Sequence, residues 1–569
     1  MLDRFKSLKL TAAEIDELYK YYSRHSGGLQ PPTREEFLEF SRTGNRLNYE
    51  NKYFALRHRI NGAFMLWHAK GGEYLDELRE LLTAICDEET WALPAHVSDP
   101  GNARTEIDLF AAETAMMLAE IKYLANAADI SGGALGAELN ERIDREIRER
   151  IFVPFSENRY HWETADHNWS AVCAGAIGIA YLRLAPDELP LERILNAMKS
   201  YISGYNDDGI CLEGIGYWSY GFGFYLYFAA ALSEMYGTAA IDIIHADKPQ
   251  RIAQFPENAA LSGDALVSCS DAPEKFAAPE GLMGMISEFY GINTQTQTEK
   301  TDECGRWAHF IRSYLHPVKG MSEQPKAGEF VFEQSQWYVN RKPRYGFFIK
   351  GGTNAEPHNH NDIGSFIIAG RSGAAGRSGA AERSGAAGRS SAAGESGATG
   401  KNGQLLCDLG AGEYTKDYFN DETRYNYLCN SSLGHSVPII DNNGQRAGAE
   451  FRCDEFDCGG NRARVSFGSA YGSDATVVRE ARLYDDRIII RDTFEFADGK
   501  PHTVTERFVT LIEPSAADGG ILIGDLKINK TGEVKKEIIR AHDGTPKAVY
   551  LIDIPAGNEF ILEFSFMDE

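Results

Sequence analysis

Two histidines one residue apart open the densest cluster of potentially reactive side chains, EPHNHNDIGSF over residues 356–366. If a strand already begins there, alternation sends His358 and His360 to one face. Imidazoles so spaced often form part of a metal site whose other ligands come from elsewhere. Asp408 in CDLGAGEY and His435 in GHSVPII are the downstream candidates, and Asp362 could orient one ring. Two strand-end histidines can equally be satisfied by ordinary hydrogen bonds. A second cluster, ADHNWSAVCAGAIG (165–178), sets His167 and Asn168 at the start of an apolar helix. There Asp166 or Asn168 would be the N-cap and Trp169 would be core. A third, CLEGIGYWSYGFGFY (211–225), runs from a glycine turn into an aromatic helix, with Tyr217 and Tyr220 three apart on one face. Such a stripe usually packs a core, yet rings beside glycine turns also make sugar platforms.

Two kinds of element must position these clusters. Up to about residue 315 the apolar residues recur at spacings of three and four, as in 53–70, 105–127, 167–184 and 220–236. This is the amphipathic helix pattern, and many such helices with short connections suggest hairpins in a layered array or toroid. From about 326 the texture becomes short β-branched and aromatic runs between Gly, Asp and Asn turns, the signature of an antiparallel sandwich. The segment ARLYDDRIIIRDTF reads as a hairpin. The expected division is therefore a helical domain, 1–320, and a β-domain, 321–569, with the boundary between Leu315 and Phe330. A six-residue repeat, RSGAAG and its variants, fills 371–402. Its Ser, Gly and Ala bury too little apolar surface to order it, so it reads as a flexible insertion between two strands.

Composition narrows the function classes. A chain of 569 residues with 43% hydrophobic and 25% charged residues suits two large domains. The formal net charge of -25 argues against general nucleic-acid binding, although a local basic groove can coexist with an acidic exterior. Nine scattered cysteines, an odd number with no CxxC pair, fit reduced thiols better than a disulfide framework. No apolar run approaches membrane-spanning length. The N-terminus lacks the continuous apolar stretch of a secretory signal, which implies a cytoplasmic protein or one whose leader has been removed.

Taken together, HNWSAVCAGAIGIA, EGIGYWSYG, HNHNDIGSF and DLGAGEY followed by RYNYLCNSSLGHSVPII resemble the heparinase II/III-like polysaccharide lyases. ICDEETWALPAH (85–96) is similar to a helical segment of the same enzymes. The resemblance runs from about residue 50 to 450 and implies an incomplete N-terminal (α/α) toroid with a C-terminal antiparallel β-sandwich. It implies a substrate cleft across the helical domain, roofed by the β-domain. Asn168 matches the asparagine that engages the uronate carboxylate, Tyr217 the catalytic tyrosine and His358 the catalytic histidine. His360, Asp408 and His435 match the ligands of a zinc ion with a structural role. His167, Trp169 and Tyr220 would line the substrate, and Tyr414 lies where some alginate-cleaving relatives carry a second functional tyrosine. The repeat between His360 and Asp408 departs from the family pattern, and Tyr220 competes with Tyr217 for the catalytic assignment.

The expected activity is β-elimination on an acidic oligosaccharide or polysaccharide, giving unsaturated uronate products. A glycosaminoglycan such as heparan sulfate, hyaluronan or chondroitin is the leading substrate class, with oligo-alginate as the alternative. Neither nucleic acid nor membrane is an expected partner; a homo-oligomer is compatible with the sequence. The chemistry suits these residue types. The C5 proton is weakly acidic because the adjacent carboxylate is already negative, so that carboxylate must first be neutralised or hydrogen-bonded. Asn168, or protonated His167 or His358, can donate to it. Tyrosine, with a pKa of about 10, is a ready acid for the leaving oxygen, and Tyr217 or neutral His358 can take the proton. A glycoside hydrolase on a toroid would instead need two carboxylates across the bond; Glu163, Asp166 and Glu213 are available. A non-catalytic carbohydrate binder would keep the aromatics and tolerate loss of His358 and Tyr217.

Overall fold

The long helices form where the three-and-four spacing predicts them: Leu47–Lys70, Leu109–Ala128, Asn168–Leu184 and Ile215–Tyr236. Asn168–Leu184 is buried along most of its length, as expected of a helix apolar on nearly every side, whereas Leu47–Lys70 buries Glu50, Arg57, His58 and Asn61 among its apolar residues. Strongly amphipathic partners flank them. Ala12–Arg24 and Leu75–Asp87 pack on Leu47–Lys70, and Leu191–Ser203 packs on Asn168–Leu184. This alternation of apolar and amphipathic helices is the layered hairpin pattern of an (α/α) toroid. Glu120, fully buried on Leu109–Ala128, accepts hydrogen bonds from Trp307 Nε1 at 2.9 Å and Arg312 Nη2 at 2.9 Å. That charge-assisted pair ties a central helix to the late helix Trp307–Leu315.

The computed structural model describes residues 1–25, 31–128, 133–237, 246–263, 265–273, 276–293, 296–318, 325–370, 403–472, 475–542 and 544–567. The expected insertion at 371–402 lies outside the described residues. The chain forms two compact units. One comprises Met1–Cys211, Tyr217–Gln254 and Ala277–Ser322; the other comprises Leu212–Gly216, Phe255–Phe276 and Glu323–Glu569. The change of texture near residue 320 thus carries two earlier segments with it. Ala260–Ser262 and Ala265–Leu266 pair with each other, and Arg341 reaches back to donate to the Ala260 carbonyl at 2.8 Å.

The second unit is built on antiparallel sheets. A five-stranded sheet has the order 404–406, 366–370, 345–350, 337–341, 328–332. An eight-stranded sheet has the order 455–459, 462–466, 475–483, 487–496, 559–566, 526–528, 520–523, 515–517. The expected hairpin is present, with Ala475–Leu483 paired to Arg487–Phe496. Its burial alternates along both strands, the period-two pattern of a half-buried sheet. Tyr345, Phe347 and Phe366 of the smaller sheet share one core with Val477, Ile490, Leu562 and Phe564 of the larger. Two sheets joined face to face through such a core make a β-sandwich. None of the nine cysteines, all among the described residues, forms a disulfide. Among the described residues no helix is long and apolar enough to cross a membrane.

Candidate active site and metal centre

The loop carrying His358 and His360 is pinned at both ends by one buried lysine. Lys350, which closes the strand Tyr345–Lys350, places its ammonium 2.9 Å from Asp362 and 3.3 Å from Glu356. Glu356 also accepts from the Thr353 amide at 3.0 Å, and Gly364 N–H donates to the Lys350 carbonyl at 2.9 Å. Drawn tight between these anchors, the chain turns so sharply that His358 adopts φ +53°. A non-glycine residue in the left-handed region stores strain that the surroundings must over-determine. The expected strand therefore does not start at the histidines; it begins at Phe366. Asp362 is engaged with Lys350 rather than orienting an imidazole.

The orienting carboxylate is Asp271, whose side chain is fully buried. Its Oδ2 accepts from His358 Nδ1 at 2.7 Å, its Oδ1 lies 3.2 Å from His360 Nε2, and the Tyr418 hydroxyl donates to that same Oδ1. Burial opposes ionisation, but the two imidazoles outweigh it and hold the Asp271 carboxyl well below the usual range. On its other side, His358 Nε2 faces Glu213 at 3.6 Å. Burial would lower the imidazole pKa; the hydrogen bond and charge of Asp271, with the charge of Glu213, raise it above the ordinary value. The His358 side chain keeps 25% of its exposure, so it can meet a ligand.

Two motif glycines make room for the Asp271 loop. Gly214 of EGIGY (φ +100°) lies so close that a Cβ there would meet the Ala272 Cβ at 2.7 Å. A Cβ on Gly410 of DLGAGEY (φ +62°) would meet the Ala272 carbonyl oxygen at 2.1 Å. Only glycine tolerates both the conformation and the approach. The RYNYLCNSSLGH segment supports the histidine loop from another side: Arg424 donates to the Asn359 carbonyl at 2.8 Å, and Asn361 N–H donates to that of Asn430 at 2.9 Å. Tyr414 packs its ring 5.0 Å from Tyr418 and 4.4 Å from His542.

His360, Asp408 and His435 come together at the bottom of this loop, all buried, with one ligand atom from each within 4.8 Å of the others. His435 Nδ1 lies 3.0 Å from Asp408 Oδ2, and His360 Nδ1 lies 3.9 Å from Asp408 Oδ1. Both Nδ1 atoms are buried and face Asp408, whereas both Nε2 atoms are engaged elsewhere, His360 by Asp271 and His435 by the Cys429 carbonyl at 2.8 Å. An imidazole that donates through Nε2 presents a lone pair at Nδ1. Two such lone pairs and a carboxylate, each backed by an outer hydrogen bond, fit a zinc ion. Arg479, fully buried, braces both segments: its Nη1 donates to the Gly364 carbonyl at 2.8 Å and to that of Ser436 at 2.7 Å.

The remaining candidates belong to the helical unit. His167, not Asp166 or Asn168, is the N-cap of Asn168–Leu184, and its side chain makes no capping bond. Asn168 itself is buried, and Trp169, which the local pattern alone would put in the core and the resemblance puts on the substrate surface, is half-exposed. The Trp169 ring lies 4.9 Å from that of His96 and 5.5 Å from that of His161. His96 is anchored by Asp108 at 2.7 Å, and Asp108 also accepts from the Leu93 and Ala111 amides. Tyr217, half-buried, sits in the first turn of Ile215–Tyr236. Tyr220 differs from it: it is buried, its hydroxyl donates to Glu113, and the Arg306 guanidinium lies 4.1 Å over its ring. Burial, with the Glu113 charge, pushes the Tyr220 phenol well above its usual pKa. Glu163 is taken up by Arg193, with Nε and Nη2 both at 2.6 Å. Burial opposes that ionisation, yet Arg193 holds Glu163 below the usual carboxylate range.

Sequence reasoning missed Asp271, Tyr418, His96 and Asp108. Asp271 stands in CSDAPEK, far along the chain from either histidine, with no spacing to betray it. His96 ends the ICDEETWALPAH segment and was within reach of a motif reading.

No protein-family model matches the chain, and no curated protein matches it by sequence. Solved structures do match. A heparinase III superposes with a TM-score of 0.58 at 12% identity, covering 98% of this chain and 89% of its own. The heparan sulfate lyase HepC of Pedobacter heparinus gives 0.53 at 10% identity over 100% and 93% of the two chains. A mutant of that enzyme gives 0.56 at 10% identity over 98% and 90%. The chain shares their fold over essentially its full length, an N-terminal (α/α) toroid and a C-terminal antiparallel β-sandwich, as the motif resemblance implied.

Proposed function

We propose that the protein is a polysaccharide lyase that cleaves uronate-containing glycans by β-elimination. The observation that carries this reading is His358: a part-exposed imidazole on a strained turn, one nitrogen held by a buried carboxylate, in a chain with the fold of heparan sulfate lyases. Strain retained at such a position is characteristic of functional loops. Asn168 donates its amide to the uronate carboxylate as negative charge builds there, Tyr217 protonates the leaving C4 oxygen, and either Tyr217 or His358 removes the C5 proton. The products are a shortened glycan and an unsaturated uronate, with no water consumed. His167 and Trp169 belong to the substrate surface, as does the part-exposed aromatic group around Tyr414.

His360, Asp408 and His435 would hold zinc, which when bound cross-links the histidine loop to the segments carrying Asp408 and His435. A structural role suits a site that is fully buried, and uronate elimination needs no metal-activated water. The hydrolase alternative is weakened because Glu163, locked in ionised form by Arg193, is unsuited to be a general acid.

Heparan sulfate and related glycosaminoglycans are the proposed substrates, since the similar solved structures are named for heparinase and heparan sulfate lyase activity. Incubation with heparan sulfate, hyaluronan, chondroitin and alginate oligosaccharides, followed by ultraviolet absorbance of the conjugated product, tests the reading. A rise with one member identifies the substrate class. Reducing ends that accumulate without absorbance would make the protein a hydrolase.

A further inference from the structure

We infer that Asp271 is a positioning residue that couples the metal centre to His358, by holding one ring of each with the two oxygens of a single carboxylate. The inference rests on the lyase reading for the role of His358, but its geometry is independent of it. Asp271 is fully buried, so solvent does not compete for its oxygens. Oδ2 takes His358 Nδ1 at 2.7 Å and Oδ1 faces His360 Nε2 at 3.2 Å. The carboxylate thereby sets opposite tautomers on the two rings. His358 keeps a proton on Nδ1 and turns Nε2 toward Glu213 at 3.6 Å, whereas His360 keeps its proton on Nε2 and turns Nδ1 toward Asp408.

The mounting of Asp271 suits this task. Tyr418, itself fully buried, donates its hydroxyl to Oδ1 and blocks rotation of the carboxylate. The preceding Ser270 has φ +60°, and Ala272 on the other side is enclosed by Gly214 and Gly410. Two motif glycines and Tyr418 thus hold one aspartate in place between the two imidazoles. Because the carboxylate is held in place, it fixes the ring that faces the metal centre and the reactive ring together, and its loss releases both.

The test uses the full chain, with Zn²⁺ alone as the metal probe. In Asp271→Ala, zinc affinity measured by chelator competition is expected to fall about 10–100-fold, as when outer-shell partners of metal ligands are removed. kcat is expected to fall about 100-fold or more with KM within about threefold, the split expected when positioning rather than substrate binding is lost. Nitrogen-15 spectra of histidine-labelled protein read the tautomers directly, and those of His358 and His360 are expected to lose their fixed assignment. Should the alanine variant fail to fold, Asp271→Asn preserves size but offers one acceptor oxygen, so it can serve only one ring as before. Either folded variant with both tautomers and zinc affinity as in wild type overturns the inference. A wild-type protein that yields no unsaturated product, yet shows tautomers that depend on Asp271, would sink the lyase reading and leave the positioning role standing.

Discussion

Replacing Arg479 with methionine should destabilise the β-unit at a fully buried ion-pair triad. Arg479, Asp492 and Glu506 are all fully buried. The guanidinium donates to Asp492 at 2.6 Å and to Glu506 at 2.8 Å through Nη2, while Nη1 holds the Gly364 and Ser436 carbonyls. Burial, together with the Asp492 charge, pushes the Glu506 pKa well above its usual value against the opposing pull of Arg479. Removing the cation strands the Asp492 carboxylate, a loss of about 3–5 kcal/mol for a broken buried pair. Spread over a unit of about 270 residues, with about 2 cal/mol/K of unfolding entropy per residue, that lowers its Tm by roughly 5–9 °C. Differential scanning calorimetry at pH 7 measures the shift. A variant melting within about 1 °C of wild type would refute the reasoning.

Three further predictions concern the sites. Tyr217→Phe should lower kcat about 10²–10⁴-fold with little change in KM, the usual scale for a lost general acid or base; turnover at the wild-type rate would exclude that tyrosine. His435→Ala should purify with far less zinc than wild type by elemental analysis, and equal metal in both would remove it from the ligand set. Glu113→Gln tests a buried carboxyl in the helical unit. Burial raises the Glu113 pKa to about 7 despite the opposing charge of Arg306. The folded state therefore binds the proton more tightly, and wild-type stability should decline as pH rises from about 4.5 to 7, by up to about 3 kcal/mol. The glutamine variant should lack that decline in denaturant titrations; an identical profile in both proteins would rule it out.

Much of the fold was legible because periodicity is local. The helix over 167–184 and the hairpin around Asp485 follow from spacing and turn residues within a few positions. The candidate site was less so, because it depends on contacts distant in sequence. HxH announced itself as chemistry, but its backbone did not: the pull of Lys350 on Glu356 and Asp362 replaces the expected strand with a turn at φ +53°. Trp169 looked like core because it begins an apolar run, yet the histidines beside it come from 96 and 161 and leave its ring half-exposed. Asp271 was invisible because a lone aspartate between small residues shows its importance only when two imidazoles are placed above it.

Product mass separates elimination from hydrolysis. Elimination conserves atoms, so the two fragments of a defined uronate oligosaccharide must sum to the mass of the starting glycan, with the deficit of one water on the newly unsaturated end. Wild-type protein should give that sum, and Tyr217→Phe should give few fragments of either kind. Fragments that together outweigh the substrate by one water would contradict elimination.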